Sequence, residues 1–168
     1  MTKQEIGASE LAFMLKDIDN SSGIGTSVPI LDPERNIALY RALTNAMENN
    51  MIRSAHDCSD GGLSVSLAES CFGFSGGADI DVSEILISDD ELDEWGTLFG
   101  ESLGRIIVSV SPENATEFEE RMEGHAVYKL GKTTSSGKVM ISAHGKTILK
   151  CDVASLKAAW KGTLDRSA

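Results

Sequence analysis

Cysteine is scarce and its spacing is wrong for cross-linking: Cys58, Cys71 and Cys151 lie far apart, and no C-x-x-C pair occurs. An odd number of cysteines without paired spacing argues against a disulfide framework and against a thiolate zinc site. Cys71 and Cys151 are expected instead as small buried apolar residues, the usual behaviour of free cysteine. Long apolar runs are also missing. No stretch approaches the roughly 20 residues needed to cross a bilayer, so no membrane partner is expected. Residues 1–10 carry acidic and polar side chains rather than a basic segment followed by an apolar one, which argues against a secretory signal and makes a cytoplasmic location the expectation. Basic residues are the third shortage: 15 Lys and Arg stand against 26 Asp and Glu, a formal charge of -11. Nucleic-acid binding draws most of its affinity from Lys and Arg on phosphates, so this balance excludes nucleic acid as the expected partner. A phosphate-bearing small molecule stays open, provided backbone amides, metal ions or a partner's basic groups offset the repulsion.

What is present fits one soluble domain. The 168 residues are 41% hydrophobic, and a chain of that size can bury a sizeable core. Residues 1–31 read as an opening helix (Gly7 to Lys16, with Leu11, Phe13, Met14 and Leu15 as its apolar contacts) and a mobile loop, Asp19 to Gly25, dense in Asn, Ser and Gly. Residues 32–168 read as a single α/β unit. Asp32-Pro33 is a helix-start signal, and Ile37, Tyr40, Leu43, Met47 and Met51 recur at helical spacing, predicting a core-facing helix of about five turns. A strand follows at Ile52 to His56, then a helix opened by Gly61-Gly62 and running through Leu63, Leu67, Ala68 and Cys71. Ala78 to Val82 alternates as a half-buried strand. Ser88 to Glu91 has capping-box form and predicts a helix through Leu92, Trp95 and Phe99, with both this tryptophan and Trp160 read as packing residues. Gly104 to Val110 reads as a strand, and Ser111-Pro112 starts a helix ending near Gly124, whose Glu113, Glu117 and Glu120 form a solvated face. Val127 to Lys132, Val139 to Ala143 and Thr147 to Cys151 read as strands, the last two joined by a tight His144-Gly145 turn. Asp152 caps a final helix with Leu156, Ala159 and Trp160. The order indicates an α+β fold, a mixed sheet flanked by helices, partly ferredoxin-like.

One stretch stands apart. Ser54 to Gly62 (SAHDCSDGG) places two carboxylates, an imidazole, two hydroxyls and a glycine pair at a strand-to-helix turn. Asp57 and Asp60 are hard oxygen ligands suited to Mg²⁺, which typically bridges one or two carboxylates to substrate phosphates. Gly61 and Gly62 let a ligand approach the backbone, and free amides at a helix start favour anions. The same residue types are what any helix cap in a tight turn would use, and His56 alone is as readily a buried histidine as a ligand. The residues leave both readings open.

The run from His56 to Leu63, continuing as SVSLAES to Ser70, resembles the HDxSDGGLxxxLAE signature of the last domain of formylglycinamidine ribonucleotide synthases, within the aminoimidazole ribonucleotide synthetase family. Further segments agree in order: Ala8-Ser9-Glu10 with the end of a G-G-S-E segment, Gly76 to Asp81 with the turn and strand after the signature helix, and Phe99 to Arg105 with F-x-E-S-x-x-R. Leu130-Gly131-Lys132 resembles the I-G-x-V strand, and Leu156 to Trp160 with Lys161-Gly162 the closing L-x-x-A-W-x segment. The resemblance implies ATP-dependent conversion of formylglycinamide ribonucleotide to its amidine in de novo purine biosynthesis, by a ligase of the amidotransferase type. Its implied cofactors are ATP/ADP and Mg²⁺. Its implied partners are the N-terminal ATP-binding domains of the same enzyme and a glutaminase subunit or domain supplying ammonia.

In that family the nucleotide site lies between a domain like this one and a preceding β-rich domain. Two such pairs occur per chain, and the last resembles an auxiliary site. The resemblance therefore implies the C-terminal fragment of a longer enzyme, inactive by itself. Carried over, Asp57 is the Mg²⁺ ligand and Ser59 the phosphate contact. Asp60, Gly61 and Gly62 shape the turn, with their amides as a phosphate cradle, while His56 orients Asp57 or packs beneath the turn. Glu101 and Arg105 are supporting candidates whose plainer reading is a pair with each other. Two departures stand out: Gly7-Ala8 where a glycine pair is usual, and Cys58, which adjacent acids keep from being a nucleophile. Two alternatives stay open: another member of the superfamily, namely aminoimidazole ribonucleotide synthetase, selenophosphate synthetase, thiamine-phosphate kinase or a hydrogenase-maturation protein, or a non-catalytic assembly domain.

Overall fold

The computed structural model describes residues 2–19 and 27–162. The elements run α1 (Glu10–Asp19), α2 (Pro33–Glu48), β1 (Ile52–Asp57), α3 (Gly62–Cys71), β2 (Gly77–Asp81), α4 (Ser83–Ile87), α5 (Glu94–Phe99) and β3 (Ile106–Val110). A 3-10 turn at Pro112–Asn114 leads into α6 (Ala115–Arg121), followed by β4 (Gly131–Thr134), β5 (Lys138–Ala143), β6 (Lys146–Asp152) and α7 (Val153–Gly162). Among the described residues no helix is long and apolar enough to cross a membrane.

The α+β class and the mixed sheet are as expected. Four strands lie in the order β4-β2-β5-β6, with β2 and β5 parallel and the outer pairs antiparallel. The β5 sequence KVMISA buries Val139, Ile141 and Ala143 and leaves the residues between them more open, the alternation that puts one face of a sheet against a core. Leu63, Leu67 and Cys71 of α3 pack on that face together with Ile80, Val82, Ile85, Leu98 and Val153. The turn between β5 and β6 has φ of 49° at His144 and 74° at Gly145, as a two-residue hairpin requires. Strands β1 and β3 stand apart as an antiparallel ribbon, from Ile52 opposite Val110 to Asp57 opposite Ile106. A second, smaller core of Ala46, Met51, Phe118 and Met122 joins this ribbon to α2 and α6.

Several expectations change. Asp32 does cap α2, accepting the Arg35 amide at 3.1 Å. The helix ends at Glu48 because Asn50 turns left-handed (φ 57°), so Met51 enters the small core from outside it. Ile37, Tyr40 and Met47 are 50%, 44% and 41% exposed, so the periodic stripe is only partly covered and Leu43 and Ala46 carry the burial. The opening helix starts later than expected: Ser9 caps it through the Ala12 amide (3.2 Å), while Phe13 and Met14 face outward. The expected loop at Asp19 to Gly25 lies outside the described residues apart from Asp19, which ends α1.

The Ser88 to Glu91 box starts no helix. The Ser88 hydroxyl donates back to the Ile85 carbonyl (2.6 Å), closing α4, and Asp93 caps α5 through the Gly96 amide (2.7 Å). The strand expected at Val127 to Lys132 begins only at Gly131, where pairing with β2 starts. Ser111 makes no capping bond through its side chain. Asp152 ends β6 and pairs with Lys138 (3.4 Å), and the Val153 amide donates to the Gly137 carbonyl (2.9 Å). Cys71 is buried, whereas Cys151 is only half-buried.

Candidate functional site

Strand β1 delivers the acidic turn and α3 receives it. The pairing of β1 with β3 continues one step past Asp57, where the Cys58 amide donates to the Arg105 carbonyl (2.9 Å) and the Cys58 side chain enters the main core. Burial first, and the Asp57 charge only last, raises the Cys58 thiol above its ordinary pKa. It is therefore a neutral packing group, and burial more than the neighbouring acids disfavours the thiolate that a nucleophile would need. Ser59 and Asp60 are then exposed at the tip. The chain returns through two left-handed glycines, Gly61 (φ 77°) and Gly62 (φ 63°). A Cβ on Gly62 would lie 2.6 Å from the Gly100 carbonyl oxygen, and one on Gly61 would collide with Val65, so close packing as well as φ demands glycine at both.

The capping reading holds for glycine alone: the N-cap of α3 is Gly61, without a side-chain capping bond, so no side chain of the turn caps the helix. Ser59 instead donates its hydroxyl to Asp57 Oδ2. That bond is the largest influence holding the Asp57 carboxyl below its ordinary value, followed by its own backbone amide and, least, by His56, against a weak opposing effect of burial. The Asp57 side chain is 73% exposed. The result is an ionised carboxylate with a hydroxyl clipped to one oxygen, directed into open space.

The amide cradle expected at the glycines is already occupied. The Gly61 amide donates to Glu101 Oε1 (2.9 Å), and the Gly62 amide donates to the Ser59 carbonyl (3.0 Å). Glu101 also accepts the Glu10 amide at 3.0 Å, so one carboxylate ties the turn to the start of α1. Arg105 does not pair with Glu101. It donates to the Gly100 carbonyl (2.9 Å) and the Thr97 carbonyl (2.8 Å), closing the C-terminal end of α5. The pair expected on the plainer reading does not form: both residues are structural, but each through its own partners.

His56 sits beneath the turn with oxygen at both ring nitrogens: Nδ1 is 2.7 Å from the Asp57 carbonyl and Nε2 is 3.1 Å from Glu69 Oε2. A neutral ring can donate at only one of these. Glu69 Oε1 in turn accepts the Trp160 indole N–H at 2.8 Å, and the Trp160 ring packs on Phe72 with centroids 5.7 Å apart. Trp160 is thus a half-exposed anchor rather than a core residue. Glu69 and Trp160 were not singled out as part of the site, although both sit inside the motifs quoted for it, the LAE run and the closing L-x-x-A-W.

Among the described residues no cluster of three or more His, Cys, Asp or Glu is arranged to hold a metal. A magnesium ion that keeps waters and binds through one or two carboxylates plus phosphate oxygens needs no such cluster. Asp57, ionised and outward, fits that pattern as one ligand.

The chain matches the family described as AIR synthase related protein, C-terminal domain, over residues 4–143. It is 43% identical over 122 residues to phosphoribosylformylglycinamidine synthase subunit PurL of Lactobacillus helveticus, covering 73% of this chain and 15% of that protein. To the same subunit of Thermobifida fusca it is 32% identical over 163 residues, 97% of this chain and 20% of that protein. The chain thus spans a fifth or less of the length of these curated relatives. Among solved structures it resembles Thermotoga maritima PurL complexed with FGAR, with a TM-score of 0.72 and 18% identity over 90% of this chain and 26% of that one. It also resembles the ATP complex of T. maritima PurL, with a TM-score of 0.63 and 19% identity over 70% of this chain and 21% of that one. These likenesses establish the fold.

Proposed function

Because this chain belongs to the AIR synthase related protein C-terminal domain family, we propose that it supplies one half of a Mg²⁺–nucleotide site in a phosphoribosylformylglycinamidine synthase. That enzyme is an ATP-dependent ligase of cytoplasmic purine biosynthesis, which amidates formylglycinamide ribonucleotide with ammonia from a glutaminase. The observation that carries the reading is the Asp57–Ser59 pair, an ionised carboxylate and a hydroxyl held together at an exposed turn and not used to cap the helix below. When bound, Mg²⁺ would neutralise phosphate charge beside Asp57. The chain's own part is to hold that carboxylate ionised and aimed outward.

Each surrounding residue has a share in that task. Ser59 fixes one Asp57 oxygen through its single O–H, and contact with a phosphate requires that hydroxyl to rotate off Asp57 and donate to a phosphate oxygen. Gly61 and Gly62 bend the chain so that both reach the surface, and Glu101 pins the bend. His56 lies between the Asp57 carbonyl and Glu69 of α3 and as a neutral ring donates to one of them, and Arg105 closes α5 behind it. Asp60 shapes the tip. The half-site is open, and a net charge of -11 leaves phosphate repulsion to be offset by the metal and by basic groups of a preceding ATP-binding domain. The isolated chain should therefore turn over no ATP.

The test is a titration of ADP, with and without Mg²⁺, into the chain together with its preceding domain. Binding that requires Mg²⁺ and is lost in Asp57→Ala supports the reading. Binding indifferent to both contradicts it.

A further inference from the structure

The end of α3 farther from the acidic turn is held by α7, and the contacts that hold it lead back toward Asp57. Helix α3 has no basic residue in its last turn. Lys157 of α7 supplies one, donating its ammonium to the Phe72 carbonyl (2.7 Å) at the negative end of the helix dipole. Further along α7, the Trp160 ring lies on Phe72 and its indole N–H donates to Glu69 Oε1 (2.8 Å). A phenyl ring could also lie on Phe72. The N–H is what makes tryptophan specific at this position, which is 52% exposed.

Glu69 turns its second oxygen the other way, toward β1. Oε2 lies 3.1 Å from His56 Nε2. The Asp57 carbonyl, beside the other ring nitrogen, has a donor of its own in the Ser66 hydroxyl (2.9 Å). The single proton of a neutral ring therefore belongs on Nε2, where a carboxylate is the stronger acceptor. Glu69 then takes one donor from α7 and one from the end of β1, and His56 is the residue that precedes Asp57 in that strand. Without the indole, a glutamate side chain regains rotamer freedom by swinging toward solvent and releasing the ring.

We propose that Glu69 and Trp160 are positioning residues for the magnesium–phosphate turn. Glu69 holds His56, and with it the end of β1 that carries Asp57, while Trp160 keeps Glu69 in the rotamer that reaches His56. The inference rests on the reading of Asp57 as the magnesium ligand. It adds that the nucleotide site is tuned from α7 by residues that touch neither metal nor phosphate.

The test is a double-mutant cycle in the full-length enzyme, reading the Asp57-dependent part of Mg²⁺–ADP binding by calorimetry. Trp160→Phe, which keeps a ring on Phe72, and Glu69→Ala should each weaken that binding about three- to tenfold, and the double variant should bind no more weakly than Glu69→Ala alone. Packing alone would lower the melting temperature in Trp160→Phe and leave the affinity unchanged. By linkage the ligand must bias the clamp in return. In enzyme labelled with fluorotryptophan, the fluorine signal that Trp160→Phe removes should move as Mg²⁺–ADP saturates the site and stay still in Asp57→Ala, a readout that stands even if Glu69→Ala fails to fold. Asp57-dependent binding unchanged in Trp160→Phe, losses that add in the double variant, or a fluorine signal that ignores the nucleotide would overturn the inference and leave the Asp57 reading intact. Binding that does not depend on Asp57 would overturn both.

Discussion

Ala8 carries φ of 59°, a left-handed backbone that costs an L-residue with a Cβ roughly 1–2 kcal/mol. It stands where a glycine is usual in the resembling segment, and Ser9 beside it is 1% exposed and caps α1. Ala8→Gly should therefore raise stability by about 1 kcal/mol in urea denaturation, while Gly62→Ala should lower it by about 2–4 kcal/mol, because left-handed strain and a clash with the Gly100 carbonyl add. Asp57 answers to pH. Its carboxyl is held below the ordinary value of 3.8, chiefly by the Ser59 hydroxyl. A depressed folded pKa adds stability that is complete above the unfolded value and is lost as pH falls through the folded one. Ser59→Ala should move the Asp57 titration, read by carboxyl ¹³C NMR, upward toward 3.8, and any stability gap between the two proteins should close as the pH drops below that range. These residues were legible in the sequence as types at a turn. The clip between them was not, since a hydroxyl two residues from a carboxylate could equally cap the next helix.

At the scale of elements, single polar side chains join segments distant in sequence. Glu101 holds the Gly61 amide and the Glu10 amide together. Glu101→Ala should free both at once, speeding hydrogen exchange at Gly61 and Glu10 in step and costing about 1–3 kcal/mol. Glu101→Gln, which keeps an acceptor oxygen, should restore most of the protection. Such ties explain where reading the sequence stopped. A Glu and an Arg four residues apart suggest each other, but α5 ends before either of them at Phe99, and the bend that follows turns Arg105 back onto the Gly100 and Thr97 carbonyls. Similarly, Ser88 to Glu91 has the letters of a capping box, yet the short α4 before it claims Ser88, and Asp93 takes over the cap. Strands with clean alternation, such as Val139 to Ala143, were legible because burial on one face of a sheet writes period two into the chain. The stripe on α2 was misleading because periodicity records an apolar face and not what covers it.

In the whole molecule the stability resides in the core between the four-stranded sheet and α3. Ile141 is 0% exposed at its centre, and Ile141→Ala should cost about 2–5 kcal/mol, whereas Tyr40→Ala on the open face of α2 should cost well under 1 kcal/mol. The exposed side chains of the acidic turn, Asp57, Ser59 and Asp60, lie outside that core, so changing them should alter binding without unfolding the domain. Because a ligand that binds only the folded state stabilises it by mass action, an auxiliary site and a catalytic one separate cleanly in the full-length enzyme. Loss of an auxiliary site lowers the melting temperature more than the rate, and loss of a catalytic site lowers the rate at unchanged melting temperature.

The central claim is that Asp57 holds magnesium against a nucleotide phosphate. The direct measurement is the Mg²⁺ and nucleotide content of purified full-length enzyme carrying Asp57→Ala, beside the wild type. Loss of both from the site formed by this domain is the predicted result. Unchanged metal and nucleotide content in a folded variant would contradict it.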